Sequence, residues 1–239
     1  MGVSRGNITT NIIKSGLVFN MDPANRASTI PSTSTTTAFN TINLTESGSF
    51  INNTSYDSST ITPSFAFDGV HDRIESNLWN TISSQTEGTF GIWLYNINTS
   101  GNTYIFSTGD GISTWNAKHF LFAILNSPRV LFVGSYGSSD VTLQSTHTIS
   151  LNTWYYATVT SEMKLYVNGV ETDSGTSTWF SNVDTYNFFG FGQLKYNNGT
   201  WHGSQEHYGN MGPMHFYNRA LSANEVLHNY NALKSRFGL

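Results

Sequence analysis

The segment WYYATVTSEMKLYVNG, residues 154–169, predicts a β-hairpin and sets the fold class. Its two runs, Trp154 to Thr160 and Lys164 to Val167, are rich in the β-branched and aromatic residues that favour strands. They are followed by Asn168-Gly169, a pair that readily takes positive φ at both central positions of a tight turn. We therefore expect antiparallel strands in this part of the chain.

Similar runs recur along the chain and predict an all-β domain. In the segment 89–96, apolar residues fall on both faces of the strand, with Trp93 and Tyr95 opposite Phe90, so this strand should lie centrally in a sheet covered on both sides. Residues 23–59 are rich in Ser, Thr and Asn and predict a long surface excursion, with a short strand near 49–51. Further strand-like runs occupy residues 16–22, 64–67, 73–75, 103–107, 120–125, 130–133, 188–191 and 214–217.

A helix is predicted near the C-terminus. Ser222 and Glu225 have the spacing of a capping box, in which each side chain bonds the backbone amide of the other residue. Val226, Tyr230 and Leu233 then fall on one face at helical spacing. We expect this short helix to pack on a sheet edge and to carry no chemistry.

The length of 239 residues fits one all-β domain, which we place at residues 16–239. The polar residues 1–15 are either an extended arm that docks on another molecule or a terminal strand of the same sandwich. The N-terminus lacks the pattern of a signal peptide. No apolar run approaches the length of a membrane span, so we expect no membrane insertion.

The composition excludes several classes of function. Only 11% of the residues are charged, and the net charge is -4 without a cluster of Lys or Arg, so nucleic acid is not an expected partner. The chain has no cysteine, which excludes disulfides, thiolate metal sites and a thiol nucleophile. Packing must therefore stabilise the fold.

Five ordered segments carry a recognisable pattern: GLVFNMDPAN (16–25), FDGVHDRI (67–74), FGIWL (90–94), WYYATVT with KLYVNG (154–160 and 164–169), and YNRALS with EVL (217–222 and 225–227). Together they resemble the laminin-G-like, or concanavalin-A-like, lectin domains of many secreted proteins and of tailed-bacteriophage virion proteins. The resemblance implies a two-sheet antiparallel jelly roll with one short C-terminal helix. The ending, residues 225–238, looks most like the version carried by tailed-phage structural proteins.

The resemblance to phage proteins implies a non-enzymatic bacteriophage virion structural protein displayed on the particle surface. It would be a head decoration protein, a head fibre or a tail component. Its partners would be other virion proteins or copies of itself, with weak adhesion to host-surface glycans. The alternative is a carbohydrate-binding adhesin, a receptor-binding lectin domain, and a glycoside hydrolase is the third interpretation.

No cofactor is expected, and the sequence gives no clear ligand set for calcium. Many relatives carry an Asp- and Asn/Gly-rich loop after the first strand, whereas this chain has TINLTESG at 41–48. Asp22, Asp68 and Asp72 would form a cation site if their loops converged. More often such residues fix turns through hydrogen bonds to the backbone.

The sequence offers one weak pair of catalytic carboxylates. Glycoside hydrolysis needs two carboxylates about 5–10 Å apart. Glu171 and Asp173 are the nearest pair, but the Glu-x-Asp-x-Glu strand of related glucanases has a third acid that is missing here. Residues 173–179 also resemble a single Asp-box of sialidases, which is a structural turn in those enzymes. We therefore expect no catalytic residues and no enzyme.

Three aromatic residues in polar loops are the candidate carbohydrate-binding residues: Trp115, Trp201 and Tyr208. An aromatic ring offers an apolar surface to the C–H face of a pyranose. The same residues also fit rim aromatics that cap the core, or an oligomer contact, and both interpretations stay open.

His202 and His207, together with Glu206, approach the spacing of metal ligands. The intervening Gly, Ser and Gln predict a loop instead of a helix that would align them. We expect these three side chains to be solvated loop residues.

Overall fold

The computed structural model describes residues 11–29, 36–58, 62–78, 81, 85–109, 119–136, 141–176, 188–194, 201 and 205–239, which form sixteen strands and a C-terminal helix, α1 (Ala223–Leu233). In chain order the strands β1 to β16 are Leu17–Met21, Thr37–Phe39, Ser47–Ile51, Ser55–Asp57, Ser64–Asp68, Arg73–Ser76, Thr89–Asn96, Thr103–Gly109, His119–Asn126, Arg129–Tyr136, Val141–Thr148, Trp154–Thr160, Lys164–Val167, Val170–Ser174, Phe188–Phe191 and Tyr208–Tyr217.

The strands form two eight-stranded antiparallel sheets. Sheet A has the order β14-β13-β12-β7-β16-β5-β4, and β1 pairs with the C-terminal part of β16. Sheet B has the order β11-β10-β9-β8-β15-β6-β3-β2. The predicted two-sheet antiparallel jelly-roll sandwich with a short C-terminal helix is confirmed.

Strand β7 is a central strand of sheet A and is covered on both faces, as its sequence predicts. Phe90 and Ile92 are fully buried between the sheets, where Phe90 packs against Phe106 of sheet B with ring centroids 4.9 Å apart. Trp93 points to the other face and is also fully buried. Fully burying side chains of this size contributes roughly 2–3 kcal/mol each.

The hairpin of residues 164–174 has the predicted turn. Asn168 and Gly169 take φ of 52° and 81°, and Val167 pairs with Val170 across them. The Asn168 side chain also accepts a hydrogen bond from the backbone of Tyr156 at 2.8 Å. The turn is thus fixed from both sides, which sets the register of β13 and β14.

The prediction of a long surface excursion at residues 23–59 is wrong for much of that stretch. Residues 36–58 contribute three strands, β2, β3 and β4. Ala38 is fully buried and Phe50 packs edge-on against Phe65 with centroids 5.4 Å apart. Short apolar runs between polar residues suffice for strands at or near a sheet edge, because only alternate residues need to face the core.

Helix α1 begins at the predicted capping box. It reaches the predicted sheet edge where Leu227 and Tyr230 lie beside Gly169 of the β13–β14 turn, but it packs mainly on a sheet face. Ser222 accepts from the Glu225 amide, and Glu225 accepts from the Ser222 amide. The helix and the 3-10 turn after it (Lys234–Phe237) lie across the outer face of sheet A. There they cover Trp93 and other aromatic residues on neighbouring strands that water would otherwise reach.

Residues 11–15 contact helix α1 of the same chain. The backbone amide of Ile13 donates to Asn229 at 2.8 Å, and the backbone carbonyl of Ile13 accepts from the Tyr217 hydroxyl at 3.0 Å. Residues 1–10 of the predicted arm lie outside the described residues. Within the described part of the chain, no helix has the length and apolarity that crossing a bilayer requires.

Candidate functional site

A cleft of about 450 Å³ opens where the β5–β6 and β7–β8 loops meet the start of β16. Its lining is polar, with two carboxylates, several amides, the hydroxyl group of Ser100 and the phenol ring of Tyr208. Side chains of this kind donate and accept hydrogen bonds in many directions. The lining residues are Asp68, Gly69, Asn98, Ser100, Gly101, Asn102, Gln205, Glu206 and Tyr208.

Asp68 is held in place at the end of β5 by its own turn. One carboxylate oxygen accepts from the backbone amide of Val70 at 2.8 Å, and the other accepts from the Asn53 side chain at 3.0 Å. Burial alone would raise the pKa of Asp68, but these hydrogen bonds outweigh it and bring the pKa below its usual value. Asp68 is therefore ionised at neutral pH.

Asp72 has a structural role beneath this turn. It is fully buried and accepts from the backbone amides of Asp68 and Asn53, both at 2.8 Å. Burial, assisted by the nearby charge of Asp68, raises the pKa of Asp72 in spite of these bonds. The expectation that these aspartates fix turns fits the geometry.

The described residues do not hold a three-residue metal site. Asp22 forms a bidentate ion pair with Arg236, at 2.9 and 3.0 Å. Asp68 and Asp72 have different partners, Asn53 among them. No group of three His, Cys, Asp or Glu side chains that could hold a metal ion occurs in the described part of the chain.

Glu206 forms the floor of the cleft. Its side chain is only 6% exposed and accepts hydrogen bonds from His71 at 3.0 Å and from Gln193 at 3.3 Å. A buried carboxylate with two partners is fixed in direction, since turning away would leave its charge unpaired. This corrects the expectation of a solvated Glu206.

His207 is likewise not a solvated residue. It is fully buried, and its ring packs edge-on against Phe67 with centroids 5.6 Å apart. Burial lowers the pKa of His207 to about 4, so the ring is neutral at neutral pH. The expectation was wrong because distant parts of the chain cover these residues, with Phe67 against His207 and Gln193 against Glu206, and no local pattern shows this. His202 lies outside the described residues.

Tyr208 is the aromatic wall of the cleft. It is 44% exposed, pairs with Asp68 across β5 and β16, and packs over Gly69, where a Cβ atom would lie 3.0 Å from the Tyr208 Cβ. Its backbone carbonyl also accepts from Ile97 at 3.0 Å. These contacts fix the backbone while the side chain stays open to solvent.

Trp201 lies beside the cleft, on the outer face of sheet B. Its ring rests on Gly190, whose neighbours on β15 point into the core, and the guanidinium of Arg73 lies 4.6 Å from the ring centroid. Arg73 also donates to Gln193, which donates to Glu206. Trp201 is thus connected to the cleft without lining it, and Trp115 lies outside the described residues.

Glu171 and Asp173 lie on β14, at the edge of sheet A remote from β5. Asp173 accepts from the backbone amide of Gln144 in sheet B at 2.7 Å, and Glu171 accepts from the Tyr166 hydroxyl at 3.3 Å. The Asp173 contact joins the edges of the two sheets.

A second, larger groove of about 1000 Å³ lies on the outer face of sheet A. It runs between residues 11–14, the loop 22–27 and the end of the C-terminal helix. Lys14 and Arg26 line it, together with the paired Arg236 and the buried His215. Its charge is therefore more positive than that of the cleft.

Several cleft residues were not identified from the sequence. Asn98, Ser100 and Asn102 come from the β7–β8 loop, and Asp68 was considered only as a cation ligand or as a residue that fixes a turn. The available signal was a short Asn- and Ser-containing loop joining two strands. A loop of this kind marks a turn in any β protein, so it does not by itself indicate a site.

Comparisons with known proteins agree with this architecture. Residues 68–227 match the family model described as the concanavalin A-like lectin/glucanases superfamily. A sequence search of curated proteins found no match.

Solved structures with the same fold include the CBM40 domain of the Ruminococcus gnavus IT-sialidase, with α2,6-sialyllactose bound. It is 15% identical, with a TM-score of 0.57 over 70% of this chain and 96% of that one. Trypanosoma rangeli sialidase in complex with sialic acid is 12% identical, with a TM-score of 0.66 over 95% of this chain and 34% of that one.

At such identities the similarity of structure extends to the fold alone. The family match covers most of the chain and includes Asp68, the last residue of β5, and the whole of β16 with Tyr208. This protein belongs to the concanavalin A-like lectin/glucanases superfamily.

Proposed function

We propose that this protein binds glycans and that the sugar lies in the cleft between Asp68, Asn102 and Tyr208. The observation that supports this proposal most directly is the half-exposed ring of Tyr208, in a cleft otherwise lined by carboxylates, amides and a hydroxyl group. The ring would take the apolar face of a sugar, and the polar groups would bind its hydroxyls. The sialyllactose-bound CBM40 domain of the same fold supports glycans as the class of ligand.

The site is built before a ligand arrives. The backbone amide of Tyr104 donates to Gln205 at 3.0 Å, and the hydroxyl of Thr103 donates to the backbone carbonyl of Glu206 at 3.2 Å. Together with the bonds to Asp68, these contacts hold both walls of the cleft. A rigid site loses less conformational freedom on binding, which favours recognition of weakly bound sugars.

We propose binding without catalysis. A glycoside hydrolase needs a carboxylic acid that gives a proton to the leaving group near neutral pH. The lowered pKa of Asp68 makes it a poor proton donor, and Glu206 is held by His71 and Gln193. The proposal predicts no released sugar when glycans that bind are incubated with the protein.

The virion location and the virion partners stay predictions of the sequence. In this interpretation, a phage particle would display the domain with its cleft outward. Strand addition to a neighbour has little room at β2 and β4, because each of these edge strands has only three residues. Mass spectrometry of purified particles tests the location, and absence of the chain from virions would refute it.

A glycan-array screen tests the proposed function. We expect selective binding by the wild-type protein, loss of that binding in Tyr208→Ala, and retention in Tyr208→Phe, which keeps the ring. Val170→Ala is the matched control, because Val170 is 62% exposed on the remote β13–β14 turn. Binding that is equal in Tyr208→Ala and wild type would remove the cleft as the site.

A further inference from the structure

We infer that the cleft selects neutral glycans and rejects sialylated and other anionic ones. This inference rests on the proposed glycan-binding function and adds the chemical class of the ligand. Among the described residues that line it, the cleft has two carboxylates, Asp68 and Glu206, and no Lys or Arg. An anionic sugar would enter a site whose fixed charges have its own sign.

Hydrogen bonds within the protein hold both carboxylates in place. Asp68 accepts from Val70 and Asn53, and these bonds keep its pKa below the usual value. The Glu206 side chain has its two hydrogen-bond partners inside the protein. The negative groups are therefore part of the built site and do not turn away when a ligand approaches.

The guanidinium beside the cleft is already engaged. The Nε of Arg73 donates to Glu75 at 2.7 Å, and its Nη1 donates to the His71 carbonyl and to Gln193, at 3.3 and 3.4 Å. The Arg73 side chain is 15% exposed, with its charge balanced by Glu75. It would have to lose these bonds before it could clamp the carboxylate of a sialic acid.

Among the described residues near the cleft, His71 is the other group that can be cationic, and it faces Glu206. A positive charge on His71 would be paired with that carboxylate, since Nδ1 of His71 lies 3.0 Å from Oε1 of Glu206. It would therefore cancel one negative charge and leave Asp68 unbalanced. Whether or not His71 is counted as a positive charge, the described residues around the cleft carry no excess of positive charge.

The expected discrimination follows from Coulomb's law. A ligand carboxylate about 7 Å from one fixed carboxylate is disfavoured roughly tenfold, at an effective dielectric constant between those of a protein surface and water. Salt weakens such repulsion between exposed charges. The ligand of this chain would then differ in charge from the sialyllactose seen with the R. gnavus CBM40 domain.

The test uses matched glycans that differ only in charge. Each sialylated glycan on the array is compared with its sialic acid methyl ester, which has nearly the same size without the charge, and with the asialo form. We expect the ester to bind roughly tenfold more tightly than the acid. Raising the salt concentration should narrow this gap, because only the acid is repelled.

A charge variant assigns the effect to the cleft. Glu206→Gln keeps the acceptor oxygen and removes the charge. It should therefore reduce the ratio of the affinities for ester and acid several-fold. Glu162→Gln makes the same change in net charge at an exposed turn, where Glu162 pairs with Lys164, and should leave the gap unchanged.

The outcomes separate the two proposals. Tighter binding of the acid than of the ester, lost in Tyr208→Ala, overturns the charge selection and leaves glycan binding in place. Equal affinity for acid and ester, with no response to salt, also overturns the charge selection and leaves glycan binding in place. This comparison uses the wild-type protein, so it holds even if Glu206→Gln does not fold. If no glycan of any charge binds, the proposed function fails and this inference with it.

Discussion

The six-membered ring of Trp201 lies so close to Gly190 that a Cβ atom there would come within 2.6 Å of it. A methyl group cannot occupy that space unless the indole moves. We therefore expect Gly190→Ala to displace Trp201 from Arg73 and to lower the free energy of unfolding by about 1–3 kcal/mol. Urea unfolding followed by tryptophan fluorescence measures both effects.

A double-mutant cycle identifies the cause of this loss. If the clash with Trp201 is responsible, Gly190→Ala should cost much less in a Trp201→Ala background. An equal cost in both backgrounds would mean that the glycine is needed for another reason, such as strand geometry.

The terminal Phe237 should be important for stability although it lies two residues from the chain end. Its ring stacks on Trp93 with centroids 4.0 Å apart and contacts Trp154 at 4.6 Å. We expect Phe237→Ala to lower the free energy of unfolding by about 2–4 kcal/mol, because it uncovers the outer face of sheet A. The neighbouring Leu239→Ala is the control and should change it by less than about 0.5 kcal/mol, since Leu239 is 44% exposed.

Acid should destabilise the fold through two buried histidines. Burial lowers the pKa of His207 and His215 to about 4, against 6.5 in the unfolded chain. Between these values the unfolded state binds more protons, so stability falls as the pH decreases from 6.5 to 4. The loss is on the order of 2–3 kcal/mol for each histidine.

Urea unfolding at pH 7, 5.5 and 4 measures this dependence. His215→Gln should flatten the pH dependence whatever its stability at pH 7, whereas His147→Gln, at an exposed position, should leave it as in the wild type. A wild-type stability that stays constant from pH 7 to 4 would contradict the buried, neutral histidines.

The N-terminus of helix α1 should lose its cap at lower pH. Bonds from Arg219, at 2.6 and 3.0 Å, and from Ser222 lower the pKa of Glu225 to about 2. The pKa of Glu225 is depressed in the folded protein, so its contribution to the free energy of unfolding is complete above about pH 4.5 and is lost as the pH falls towards 2.

The hydroxyl of Ser222 should also contribute to the stability of this helix end. We expect Ser222→Ala to lower the free energy of unfolding by about 1 kcal/mol, measured by thermal unfolding at pH 7, and Ser222→Thr to retain most of that stability.

The fold was predictable from the sequence because its strongest signals are local. The Asn168-Gly169 turn, the two-sided apolar pattern around Trp93 and the Ser222 capping box each specify structure within a few residues. Where helix α1 lies was not predictable in this way. It depends on aromatic residues that the sheet brings together from β7, β12 and β16.

The site was predictable only in part for the same reason. Tyr208 was found because an aromatic residue in a polar stretch is unusual. Asp68, which lines the cleft beside it, lies far away in the chain, at the end of β5. The burial of Glu206 depends on His71, which is 135 residues away in the chain. No local pattern indicates such a pairing.

A crystal structure with a glycan identified on the array tests the central claim most directly. The claim predicts a sugar ring against Tyr208, with hydroxyl oxygens about 3 Å from Asp68 or Asn102. A sugar bound elsewhere, for example in the groove beside His215, with the cleft empty at saturating glycan, would contradict it.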